Sequence, residues 1–158
     1  NCLVGSEMCI RDSWYILITD KRIKINKIIM KKMKNFFKIA FYSSNIILII
    51  LYLFPGSILG WFLYNDHLVQ PQITRNFIIS SNHVYAFVLL TSLGIFSFYN
   101  TKKINFIIVY LFLLSIILEL FHIIIPAREF EMSDLFGNIA GVILVIFIYK
   151  IVVRYVKT

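Results

Sequence analysis

The chain has 158 residues, 59% hydrophobic and 15% charged, with a mean hydropathy of +0.82. Soluble domains run near ~45–50% apolar and ~25% charged, so this composition excludes a water-soluble globule, and the length suits a single domain. The net charge of +8 does not point to nucleic acid: half of the sixteen Lys and Arg fall within 21–38, just ahead of the first apolar run, where they flank a membrane span and face anionic headgroups.

Residues 3–13, LVGSEMCIRDS, read as the in-frame translation of a transposon-library sequencing adapter, in which ATG-TGT-ATA-AGA-GAC gives Met8 to Asp12. Residues 1–13 are therefore set aside as a scar. Both cysteines, Cys2 and Cys9, fall in it, so no disulfide or thiol chemistry is expected. Residues 14–32, rich in Lys, Ile and Asn, read as a basic leader or as translated upstream DNA, with the start expected at Met30 or Met33. From Met33 on, nine basic and five acidic residues leave a net of +4, and 33–158 is the expected transmembrane domain.

Four apolar segments follow: 36–54, broken by Pro55 and Gly56; 81–99; 104–125, ended by Pro126; and 134–153. A spanning helix needs roughly 20 apolar residues at about 1.5 Å each, and all four qualify. No segment alternates with period two, which excludes a strand barrel. The fold class is an all-α membrane protein, a bundle of about four transmembrane helices. Residues 57–64 are too short to span and either extend the first helix past a kink or lie at the interface, where Trp61 and Tyr64 suit an aromatic belt. Basic positions Lys34 and Lys38, Lys102 and Lys103, and Lys150, Arg154 and Lys157 alternate with loops whose only cations are Arg75 and Arg128. The positive-inside rule then puts both termini in the cytoplasm and the loops 65–79 and 126–133 outside. The first helix shows no cleavable signal pattern, and no internal repeat is evident.

The polar residues inside these segments carry the functional signal. Glu119 and His122, three apart, share one face of the third helix. Asp134, Asn138 and Gly141 form one stripe on the fourth, and Arg128 lies in the connection. Glu119, six residues inside the expected helix end, sits roughly 9 Å below the outer boundary. A carboxylate there costs about 2.5–3.5 kcal/mol on insertion scales, so it needs a partner. Arg128 is the expected cation, with His122 and Asn138 as hydrogen-bond partners. His83 opens the second helix at the same face.

The spacing E-x-x-H-x-x-x-P-x-R-x-x-x-x-x-D-x-x-x-N-x-x-G, here Glu119, His122, Pro126, Arg128, Asp134, Asn138 and Gly141, resembles the VanZ-like family of bacterial membrane proteins. The resemblance covers about 65–148. His122 stands where the family usually has glutamine. His83, in Asn82-His83-Val84-Tyr85-Ala86-Phe87, looks like the family's histidine ahead of an aromatic-rich helix, but Ile79 and Ser80 replace the Asp-Lys pair before it. The resemblance implies a multi-pass protein of the bacterial cytoplasmic (inner) membrane. It also implies a link to glycopeptide resistance, since the founding member is associated with low-level teicoplanin resistance.

The bland reading of Glu119, Arg128 and Asp134 is a polar clamp that sets helix register; the functional reading is a ligand or catalytic site, as intramembrane ionisable residues usually mark. Glu119, His122, His83 and Asp134 are residue types that suit zinc, but one i, i+3 Glu–His pair without a second is weak support and the family's usual glutamine at 122 argues against it, so neither a metal nor any other cofactor is expected. Gly137 and Gly141 read as close-packing positions. Two functions are carried forward. In one, His83, Glu119, His122, Arg128, Asp134 and Asn138 bind an anionic cell-envelope lipid or precursor headgroup, or a membrane partner. In the other, Glu119 or Asp134 is the general acid or base of an enzyme modifying such a lipid, with Arg128 holding phosphate or carboxylate. The absence of a cysteine or sharply turned serine nucleophile favours the binder.

Overall fold

A computed structural model describes residues 6–74 and 79–156, with side chains over 20–74 and 79–155. The described residues are helical, without strands: α1 Ser6–Leu53, α2 Ile58–Tyr64, α3 Ser81–Phe98, α4 Ile104–Phe121 and α5 Met132–Val156. Four of these are long and apolar enough to cross a membrane: Asp20–Leu53 within α1, Ser81–Phe98, Ile104–Phe121 and Met132–Tyr155. The protein is thus an all-α protein with four candidate spans.

The chain divides into two units, Asn1–Phe36 and Phe37–Thr158. The first is the leading part of α1. Its described side chains over 20–33 are all exposed, and seven Lys or Arg lie between 20 and 36. The first helix, expected from about residue 36, begins thirty residues earlier. No Pro or Gly interrupts 6–53, so nothing stops the backbone ladder from propagating upstream of the apolar run.

The second unit carries the bundle and every residue of interest. Pro55 and Gly56 end α1; Gly56 has φ +87°, and a Cβ there would stand 2.7 Å from the His67 carbonyl oxygen, so only glycine makes this turn without strain. Residues 57–64 form a helix of their own. Ser57 caps it by accepting from the Gly60 amide at 2.9 Å, and Asn65 closes it in the left-handed region.

The closest helix pairing joins α3 and α5. A Cβ on Gly137 would lie 2.8 Å from the Ser80 carbonyl oxygen, and one on Gly141 2.7 Å from that of Val84. The two glycines therefore let the backbones meet. Because Gly137 faces Ser80 and Gly141 faces Val84, the two helices run in the same direction, and Ser80 donates its amide to the Ser133 carbonyl at 3.2 Å. Helix α4 runs antiparallel to both, with Ser115 and Glu119 beside Asn138. The end of α1 closes the group through Phe41 edge-on to Phe98, Tyr52 edge-on to Phe87, and the Asn45 amide donating to the Tyr110 hydroxyl at 2.6 Å. The core comprises Phe41, Leu48, Tyr52, Phe87, Leu90, Leu111 and Val142, among others. The outward faces are apolar too: Ile46, Ile50, Leu89, Phe96, Phe106, Leu113, Ile143 and Phe147 are each at least half exposed. Lipid is the solvent that suits such a surface.

Helix α4 stops at Phe121, not at 125 as the apolar run suggests. The residue before a proline is pushed out of the helical region, and the chain tightens ahead of Pro126 into three-residue turns. The amides of His122, Ile123 and Ile124 donate to the carbonyls of Glu119, Leu120 and Phe121. Glu119 thereby belongs to the last turn of α4, shallower than the sequence spacing implied.

Candidate functional site

Four helix ends meet at one face of the second unit: the C-termini of α1 and α4 and the N-termini of α3 and α5. Each contributes polar side chains. Asn138, wholly buried, is the centre. Its amide nitrogen donates to the Ser115 carbonyl at 3.2 Å and to Glu119 Oε2 at 3.4 Å. Both partners only accept, which fixes the amide orientation. Its oxygen then accepts from the Tyr52 hydroxyl at 2.7 Å and faces His83 Nδ1 at 3.0 Å. Tyr52 lies 2.9 Å from the same Nδ1, so that nitrogen, between two acceptors, carries the hydrogen.

The other face of His83 meets Asp134, with Nε2 3.2 Å from Oδ2. Asp134 occupies the first turn of α5, where the helix dipole favours its charge, and Ser133 donates to its Oδ1 at 3.3 Å. Glu119 is fully buried. His122 Nδ1 lies 3.2 Å from Oε1, the Glu131 amide donates to Oε1 at 3.5 Å, and His83 Nδ1 stands 3.8 Å from Oε2. His122 Nε2 lies 3.2 Å from the Tyr52 carbonyl. A carbonyl cannot donate, so Nε2 bears hydrogen, and Glu119 and His122 share one proton across Nδ1. Tyr52 stacks on the His122 ring at 5.6 Å and meets the His83 ring edge-on at 5.2 Å.

Arg128 does not take the place expected of it. Its Nη2 donates to the Leu51 carbonyl at 3.1 Å and its Nε to the Phe54 carbonyl at 3.4 Å. It therefore closes the C-terminus of α1, where free carbonyls and the helix dipole attract a cation. Glu119 pairs instead with the imidazoles of His122 and His83. Burial lowers the Arg128 pKa from its ordinary value, while Tyr52, Glu119 and Asp134 raise it. An arginine stays charged throughout. Among the described residues, three of its five N–H donors are left for other partners.

Two cavities open beside the network. One, of about 500 Å3, is lined mainly by apolar side chains of α1, α2 and α3, including Leu51, Leu59, Leu63, Ala86 and Leu89, together with Tyr52, His83, His122 and Arg128. The segment after α2 also lines it and is held to α3 by Asn82, which donates to the Pro71 carbonyl at 2.7 Å and accepts from the Ile73 amide at 2.9 Å. The other, of about 400 Å3, is polar, with Gln70, Glu129, Glu131 and Asp134 in its wall. His122 and Arg128 line both. Both ring nitrogens of each histidine already have partners, so neither imidazole is a free general base. Of the candidate catalytic carboxylates, Asp134 reaches a cavity and Glu119 does not.

No family model, curated protein or solved structure matches this chain. Of the residues singled out from the sequence, His83, Glu119, His122, Asp134 and Asn138 form one connected network, and Arg128 borders it. Tyr52 was missed. A tyrosine one turn before Pro55 reads as an interfacial aromatic, and its only distinguishing signal was a hydroxyl needing a partner inside an apolar run.

Proposed function

We propose that the protein is a VanZ-like, four-span protein of the bacterial inner membrane, with both termini cytoplasmic, that seats an amphiphile with an anionic headgroup. The ligand class is an envelope lipid or lipid-linked precursor. One observation carries this reading: Arg128 stands on the wall shared by an apolar cavity and a polar one, with N–H donors to spare. Small-ligand sites combine mostly apolar linings of ~300–1,000 Å3 with a few convergent polar groups. A tail lying along Leu59, Ala86 and Leu89 would bring a phosphate or carboxylate to the guanidinium, which suits such oxyanions. The basic positions on the opposite loops support the orientation.

The test is native mass spectrometry of the full chain released from bacterial membranes, with phosphatidylglycerol as the added probe. Wild type should retain an anionic lipid. Ala86→Phe, which fills the apolar cavity without touching the polar network, should release it while the protein remains helical and monodisperse. Equal retention by wild type and Ala86→Phe would overturn the proposal. Teicoplanin susceptibility of a sensitive host expressing the chain tests the resistance that the resemblance implies; a raised inhibitory concentration is the expected result.

A further inference from the structure

We infer that His83, Glu119 and Asp134 form a binding site for a first-row divalent cation, of the zinc or manganese kind. One ring nitrogen of His83 and one carboxylate oxygen each from Glu119 and Asp134 lie within 4.8 Å of one another. They come from three different helices, so no short-range spacing in the sequence reveals the set. Imidazole and carboxylate together suit zinc and manganese among the common divalent ions.

Three features of the surroundings favour a cation there. The first is orientation. Asn138 and Tyr52 fix hydrogen on His83 Nδ1, which leaves the Nε2 lone pair aimed at Asp134 Oδ2, 3.2 Å away. A lone pair facing a carboxylate calls for a positive charge between them. Metal-bound histidines almost always donate their other N–H to an acceptor in this way. The second is charge. Glu119 and Asp134 bring two carboxylates to a place where Glu119 is wholly buried, and Arg128 donates to α1 carbonyls rather than to either of them. One divalent cation balances both acids once it displaces the proton that Glu119 shares with His122, and a low-dielectric site favours that balance. The third is slack. The contacts to Glu119 run from 3.2 to 3.8 Å, longer than the ~2.7–2.9 Å of a strong charge-assisted bond. The carboxylate is therefore held loosely enough to close on an ion bound about 2.0–2.2 Å from each donor. Asp134 lines the polar cavity, which gives the ion a route in and leaves room beyond it for water or an anionic headgroup.

The test is elemental analysis of the full chain, purified without a histidine tag and dialysed against zinc or manganese, with magnesium as the hard-ion control. Wild type should hold about one equivalent of zinc or manganese per chain, and a chelator should lower its melting temperature reversibly. Loss of a partner outside the ligand set already weakens metal sites by about 10–100-fold, so Asp134→Asn, which removes a ligand, should bind at least that much more weakly. Its melting temperature should also ignore the chelator. Asp66→Asn, which changes an exposed acid away from the three ligands, should keep the metal. Should Asp134→Asn fail to fold, the wild-type titration still decides. Metal-free wild type with a melting temperature indifferent to zinc and manganese would overturn the inference and leave a shared proton between His83 and Asp134. Full metal retention by Asp134→Asn would overturn it as well. No lipid is added in these measurements, and Ala86→Phe, which should release the lipid, should hold the metal as wild type does, so their outcome is separate from that of the amphiphile proposal.

Discussion

At the scale of single residues, the network is held by groups whose roles follow from what their neighbours can donate. Tyr52 is the clearest case. Its hydroxyl donates to Asn138 and stands against His83, and its carbonyl accepts from His122. Tyr52→Phe removes only the hydroxyl. Hydrogen bonds between membrane helices average about 0.6 kcal/mol and reach about 1.7, so a loss of roughly 1 kcal/mol is expected in reversible unfolding from mixed micelles. No loss at all would mean that the hydroxyl is satisfied elsewhere. Glu119→Gln makes a different prediction. In wild type, one proton lies between Glu119 and His122; with an amide at 119, His122 should revert to a neutral ring bearing hydrogen on Nε2 alone. Nitrogen-15 spectra of labelled histidine read this directly, and an unchanged His122 signal would contradict the shared proton. The candidate residues were legible because ionisable groups inside apolar runs are conspicuous. The partner of Arg128 was not legible, because the backbone carbonyls at a helix end do not appear in any inventory of side chains.

At the scale of elements, the glycines decide which helices touch. A Cβ at Gly141 would press on Val84 O at 2.7 Å and Phe87 Cβ at 2.9 Å, and the first of these is backbone. A Cβ at Gly94 would instead meet the ends of Phe41 and Leu111 at 3.1 and 3.2 Å, and side-chain ends can give way. Gly141→Ala should therefore cost about 1–3 kcal/mol, the usual range for overpacking, and Gly94→Ala clearly less; equal losses would show that α3 and α5 are not in close register. Gly141→Ala should also loosen the His83–Asp134 contact, since α3 and α5 carry one residue each. The four apolar segments were legible from length and composition. The pairing of α3 with α5 was not, because both faces are apolar and only the small residues on one side mark the seam. The early end of α4 was hidden for a related reason: Ile123 to Ile125 continue the apolar run while the backbone has already turned.

At the scale of the whole molecule, the orientation proposed from Lys102, Lys103 and Lys150 is open to direct measurement. Reporter fusions after Lys103 and at the C-terminus should read cytoplasmic, and one at Gln72 external; an external C-terminus would place the polar network at the opposite face. The shortness of α4, with α3 of equal length, has a mechanical consequence. Eighteen residues rise about 27 Å at about 1.5 Å each, less than the ~30 Å of hydrocarbon in an ordinary bilayer. The twenty-five residues of α5 exceed it. In the proposed membrane setting, a bilayer that thins locally around α3 and α4 while α5 tilts would match these lengths, at a cost of fractions of a kcal/mol per Å. Thermal stability should therefore peak in lipids with shorter acyl chains than those of a typical plasma membrane, and deuterium order parameters should show disordered chains beside the protein. The dimple so formed would lower the surrounding headgroups toward the ends of α3 and α4, shortening the distance a lipid travels before its polar end meets Arg128.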